Sequence, residues 1–208
     1  MRVSVIIPVL NEEKWLKGCL DHIASQTYPP DEVLVGIDRK TTDKSAEIAE
    51  AHPIVSRVIY EAMDTFPVQH QLVLSATGDI IVNCDGDTYL SENWIELGIE
   101  TLKPDVSLVG GYIRPHNPNP LTLFIAWFNN NINPLYFPGC SAMFRREDYL
   151  KLKLENRYAE IPWFRFRELG KIVKNPEMIA STRLPTHRQV TLLSLSALSA
   201  MLYFKARR

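Results

Sequence analysis

Short runs rich in aliphatic and β-branched residues alternate with segments of helical spacing through the first half of the chain, and this rhythm narrows the fold more than any other feature. Val3–Val9 is a continuous apolar run of strand length, as expected for a strand covered on both faces. Asn11 reads as an N-cap, with Glu12 and Glu13 in a first turn and Trp15, Leu16, Cys19, Leu20 and Ile23 at helical spacing. Further strands are expected at Glu32–Ile37, Val55–Tyr60, Asp79–Cys84 and Val106–Tyr112. Helices are expected between them at Thr42–Ala51, Val68–Ala76 and Ser91–Leu102, the last capped by Ser91. Strand–helix–strand order implies a mostly parallel central sheet flanked by helices, with right-handed crossovers. The 208 residues suffice for a single domain with a sizeable core.

In such sheets ligands bind beyond the carboxyl ends of the strands. That rule selects Pro8–Glu12, Asp38–Asp43, Asp85–Asp87 and the stretch after Tyr112. No GxGxxG and no GxxxxGK[ST] occurs, so the usual dinucleotide and P-loop chemistries are excluded. Asp85-Gly86-Asp87 is the strongest local signal: two carboxylates around one glycine form a compact anionic cradle suited to Mg²⁺ or Mn²⁺. Asp-Gly is also a common turn dipeptide, but a bare turn would not need two flanking acids after a buried strand. Asp38 ends the second strand, where it can accept hydrogen bonds from a base or ribose. Asp43 reads as a helix cap.

Charge is unevenly divided. Residues 1–144 carry a net −9 and residues 145–208 a net +8. An acidic front of this kind argues against nucleic acid as the partner. Three scattered cysteines, Cys19, Cys84 and Cys140, offer neither a disulfide framework nor a metal knuckle, which favours a reducing compartment. The N-terminus turns acidic without a small-residue cleavage site, so no signal peptide is expected.

The segments VSVIIPVLNEEKWLKGCLDHIASQTYPPDEVLVGID, TTD and GDIIVNCDGD together resemble glycosyltransferase family 2. The likeness is close over residues 3–103 and continues loosely through FPGCSAMFRRED at 137–148. It implies a GT-A-like single α/β domain, a nucleotide-sugar donor, a divalent metal (Mn²⁺ or Mg²⁺) and inverting transfer to an acceptor hydroxyl or a lipid phosphate. By that resemblance Pro8, Asn11, Glu12 and Asp38 line the nucleotide pocket, and Asp85 and Asp87 meet ribose, diphosphate and metal. Residues 1–112 would form the nucleotide-sugar half and 113–186 the acceptor half, with 187–208 a helical tail. Two departures stand out. Val68-Gln69-His70-Gln71-Leu72 replaces the family's Ala-Arg-Asn-x-Gly stretch. The acidic pair expected before RFRELGKI, read as a helix, is reduced to Glu160, which either supplies the catalytic base or flanks that helix. His187 in LPTHRQ either reaches the metal or diphosphate or is structural, and Arg188 beside it could pair with phosphate.

Two rivals compete with a transferase. A sugar-nucleotidyltransferase would want a glycine-rich basic loop after the first strand, which PVLNEE is not. A degenerate nucleotide-sugar or cation-binding module would bind without turnover. RPHNPNP, the apolar block Leu121–Phe128 and NNNINP form either a functional connection or a short helix on the sheet. Gln189–Phe204 has no charge and basic flanks; as a helix of ~24 Å it is too short to span a bilayer. It suits a membrane interface, and so a lipid-linked acceptor, or packing against the domain or a second subunit of a homodimer. The expected location is cytoplasmic, peripheral on the membrane in the first case.

Overall fold

The computed structural model describes residues 1–60, 68–132, 137–154 and 162–184. Eight strands form one sheet in the order β3-β2-β1-β4-β7-β6-β8-β5. The strands are β1 Val3–Val9, β2 Glu32–Ile37, β3 Arg57–Tyr60, β4 Ile80–Cys84, β5 Tyr89–Leu90, β6 Val106–Pro115, β7 Ser141–Arg145 and β8 Lys171–Thr182. The helices are α1 Leu16–Ala24, α2 Ser45–Ala51, α3 Val68–Ser75, α4 Trp94–Thr101, α5 Pro120–Asn131 and α6 Arg146–Lys151.

Strands β3, β2, β1 and β4 are parallel, as the strand–helix rhythm requires. Beyond β4 the sheet becomes mixed. β7 runs antiparallel to both β4 and β6, β8 is parallel to β6, and β5 is antiparallel to β8. Four of the seven strand pairings are parallel, so the expected mostly parallel sheet holds, and every antiparallel pairing involves β7 or β5. The remaining expectations shift in detail. RFRELGKI is not an α-helix: a 3₁₀ helix, Trp163–Glu168, takes only its first part, and Lys171 already opens β8. Neither β5 nor β8 was legible as a strand.

Alternation along the strands divides the core between the two faces of the sheet. Val3, Val5, Ile7, Val9, Val33, Val35, Ile80 and Val82 pack on one side with Leu16, Leu20, Trp94 and Ile95 of α1 and α4. Ile6, Leu34, Ile81, Leu108 and Phe144 pack on the other with Leu72 of α3, Tyr149 of α6 and Phe166. Pro8 is tolerated in a central strand because the β1–β4 ladder has already ended at Ile6 and Asn83.

Three expected caps are corrected. Asn11 is not an N-cap: α1 begins at Leu16, and Asn11 sits in the left-handed region at φ 57°. Ser91 does not cap α4, which begins at Trp94; its hydroxyl is buried without a hydrogen bond among the described residues. Asp43 is not the N-cap of α2, a position Lys44 holds; one residue earlier, its Oδ1 accepts from the Ser45 amide at 3.0 Å and the Ser45 hydroxyl at 2.6 Å. The apolar block after RPHNPNP is a helix, α5, opened by an Asn119–Thr122 capping box and Pro120. Asn130 clamps it to β6 by bonding both the amide and carbonyl of Ile113 at 3.0 Å. Leu123, Phe124, Trp127 and Phe128 nevertheless face outward. Arg145 is structural, donating to the carbonyls of Leu102, Lys103 and Val106 at the end of α4.

Candidate active site

The exits of β1, β2 and β4 lie side by side, and each carries acids. After β1 the chain turns through Asn11, a residue type that tolerates the left-handed conformation. Its Oδ1 accepts from the Thr42 amide at 2.8 Å, tying the turn to the segment after β2. The Glu12 amide donates to Ser45 Oγ at 2.8 Å, and the Glu12 carbonyl accepts from Trp15 and Leu16. Glu12 is thereby fixed at both ends of its peptide unit. Asp38 closes β2, its amide donating to Val9 and its Oδ1 accepting from the Lys40 amide at 2.8 Å.

After β4, the Asp85 amide donates to the Cys140 carbonyl at 3.0 Å, so the motif is anchored to the segment leading into β7. Asn83, wholly buried on β4, donates to the Gly139 carbonyl at 2.7 Å and points the same amide at Asp85 Oδ1, 3.4 Å away. Gly86 lies against Glu12; a Cβ there would come within 3.3 Å of Glu12 Cγ. The two acidic turns therefore touch through a glycine.

The sequence reading missed Arg183. Directly after β8, its Nε donates to Asp87 Oδ2 at 2.6 Å and its Nη2 to Glu12 Oε1 at 2.5 Å. Thr182 and Thr88 take the other Asp87 oxygen at 3.3 and 3.4 Å. Glu12 Oε2 is buried without a hydrogen bond among the described residues. Burial pushes the Glu12 carboxyl above its usual range; Arg183 pulls it back down in part, and the Asp87 charge raises it further. His116, from the segment after β6, reaches the Asp87 carbonyl with Nε2 at 2.7 Å and stacks on Trp15 with ring centroids 4.8 Å apart. Only the parity of β8 and its place beside β6 would have flagged Arg183, and β8 itself was not read.

Among the described residues no three His, Cys, Asp or Glu side chains stand close enough to hold a metal by themselves. Oxygen donors from two strand ends with an orphaned carboxylate oxygen still fit a hard cation that completes its shell with phosphate and water. Glu160, His187 and Arg188 lie outside the described residues, as do Gln189–Phe204. Asp148, the acid of the FPGCSAMFRRED segment, is paired with Arg145 and Lys151.

The family model described as Glycosyl transferase family 2 matches residues 4–153. The chain belongs to glycosyltransferase family 2. Glycosyltransferase AglE of Haloferax volcanii is 35% identical over 125 residues, which are 56% of this chain and 41% of that protein. A dolichyl N-acetyl-alpha-D-glucosaminyl phosphate 3-beta-D-2,3-diacetamido-2,3-dideoxy-beta-D-glucuronosyltransferase of Methanococcus voltae is 29% identical over 131 residues, 56% of this chain and 40% of its own. The matches thus span about two fifths of these relatives' lengths. Among solved structures, mannosyltransferase PcManGT of Pyrobaculum calidifontis in complex with GDP-Man and Mn²⁺ superposes with TM-score 0.70 at 22% identity, covering 89% of this chain and 58% of that one. The S. aureus TarS fragment in complex with UDP-GlcNAc gives 0.65 at 16% identity, covering 90% and 60%. These establish the GT-A fold for this family member.

Proposed function

We propose that this chain binds a nucleoside-diphosphate sugar with a divalent cation and transfers the sugar, with inversion, to an acceptor hydroxyl or lipid phosphate. The observation that carries this is the convergence of Glu12, Asp85 and Asp87 at adjacent strand exits, with an arginine set between two of them. Pro8, Asn11 and Asp38 flank the same edge and would border the nucleoside. Asp85 and Asp87 would hold Mn²⁺ or Mg²⁺, which supplies charge neutralisation for the departing diphosphate. The acceptor oxygen attacks the anomeric carbon from the face opposite the leaving group. The bond from that carbon to the diphosphate oxygen breaks, its electron pair leaving with the nucleotide. A hydroxyl acceptor also gives up its proton to a carboxylate base. Glu160 is the residue proposed for that base, and His187 is proposed beside the diphosphate or metal.

The relative named for a dolichyl-phosphate-linked sugar supports a lipid-linked acceptor here. The exposed aromatic side of α5 and the uncharged run 189–204 support a membrane surface as the place where it is met. No helix among the described residues is long and apolar enough to cross a membrane.

Calorimetry with UDP, GDP and other nucleoside diphosphates tests the reading. One of them should bind with Mn²⁺ and lose affinity when EDTA is added. Glu160→Gln should then lower turnover by about 10²–10⁴-fold while leaving donor affinity intact. If none of the nucleotides binds in Mn²⁺, the reading is wrong.

A further inference from the structure

Arg183 makes the two shortest charged contacts in the site, and both are to carboxylates at positions a cation would share. Its Nε takes Asp87 Oδ2, and the threonine hydroxyls of residues 88 and 182 take Asp87 Oδ1. Both oxygens of Asp87 are therefore engaged. A divalent ion reaches this carboxylate only by displacing a bond, and the guanidinium, itself positively charged, is the partner it repels. The arginine side chain is 47% exposed, against 14% for Asp87 and 15% for Glu12. The acids are held in place while the cation that bridges them has room to leave. The Glu12 main chain is fixed through Ser45 and through its own carbonyl, so its carboxylate stays anchored beside the pocket.

We propose that Arg183 is the resident counter-ion of this pocket and exchanges places with the incoming metal, so that the chain takes up its cation together with the nucleotide rather than before it. With no anion present, a free divalent ion must evict a bidentate-capable cation from two carboxylates and leave that cation unpaired. With a diphosphate present, the evicted guanidinium gains oxyanions that match its planar donors. One side chain thus weakens the site for metal alone and strengthens it for the metal–diphosphate pair. The coupling is reciprocal: nucleotide raises metal affinity by the factor by which metal raises nucleotide affinity. This rests on the proposed donor site but concerns its order of filling.

The test is Mn²⁺ binding followed by electron paramagnetic resonance, with and without UDP or GDP. Arg183→Gln should bind Mn²⁺ alone about tenfold more tightly than the parent, the scale of one charge-assisted pair removed. The same variant should bind nucleotide in saturating Mn²⁺ about tenfold more weakly, so the metal–nucleotide coupling shrinks from both ends. Arg183→Lys keeps the charge and should keep metal-alone affinity near the parent value, which separates charge from damage to the fold. If Arg183→Gln binds Mn²⁺ alone no more tightly than the parent, the counter-ion role is overturned. A parent chain that binds no nucleotide would instead sink the donor-site reading, whereas the metal-alone comparison would still decide the role of Arg183.

Discussion

Replacing Asn83 probes how the fold holds the DGD turn. The side chain is fully buried, and the Gly139 carbonyl it meets at 2.7 Å can only accept, which fixes its amide nitrogen on that side. The same nitrogen is 3.4 Å from Asp85 Oδ1, and its oxygen is 3.4 Å from Gln69 Nε2. At those lengths the two outer contacts are weak. Asn83→Ala therefore costs chiefly the Gly139 bond and leaves that carbonyl short of a partner, about 1–3 kcal/mol of stability. Asn83→Asp keeps the shape but points a carboxylate at the Gly139 carbonyl and at Asp85. It should lose more than the alanine variant at pH 7 and regain part of the loss in acid, where the new carboxyl protonates. Urea unfolding at pH 5 and 7 reads both effects, and Mn²⁺–nucleotide binding reads the disturbance passed to Asp85. An alanine variant within about 0.5 kcal/mol of the parent, with unaltered metal–nucleotide binding, would refute the idea that Asn83 supports the turn.

Gly111→Ala should destabilise the chain by about 1–3 kcal/mol or more, because its Cβ would lie 2.0 Å from the Met178 carbonyl oxygen at the irregular part of the β6–β8 ladder; an unchanged melting temperature would contradict this. His70, hydrogen-bonded to Tyr149, is held by burial below its usual 6.5. The unfolded chain protonates first as pH falls, so this residue's contribution is full above about pH 6.5 and declines through the window beneath it. His70→Gln should flatten that part of a urea-midpoint profile between pH 5 and 7.5, and parallel profiles would show that His70 does not set the slope.

The first four parallel strands and their helices were readable because buried strands give unbroken apolar runs and the intervening helices repeat at helical spacing. The strand-exit rule then located Glu12, Asp38, Asp85 and Asp87 without any knowledge of contacts. Legibility ended where local pattern stopped deciding structure. β5 is two residues long, and β8 contains Lys171, Lys174, Asn175, Pro176 and Glu177, so neither looks like a buried strand. Tertiary pairing with β6 overrides those weak preferences. Asn11 misled because the residue type that caps helices also tolerates a left-handed turn, and here the turn prevails. Arg183 was invisible for the same reason as β8: its role exists only once a distant segment is brought against the first strand.

That distance has a kinetic side. Arg183 and Glu12 are 171 residues apart in sequence, and β5 meets β8 across about ninety residues. The β1–β2 and β2–β3 ladders close much shorter loops. Loop-closure entropy grows only slowly with length, so the long pairings are affordable in the finished molecule. Contacts of this span are nonetheless the ones that slow folding. While β8 is still undocked, Glu12 and Asp87 approach each other with no guanidinium between them, and their repulsion opposes the collapse of the very edge where they meet. The strand that completes the sheet is also the one that delivers the neutralising charge, so sheet closure and relief of that repulsion are a single event.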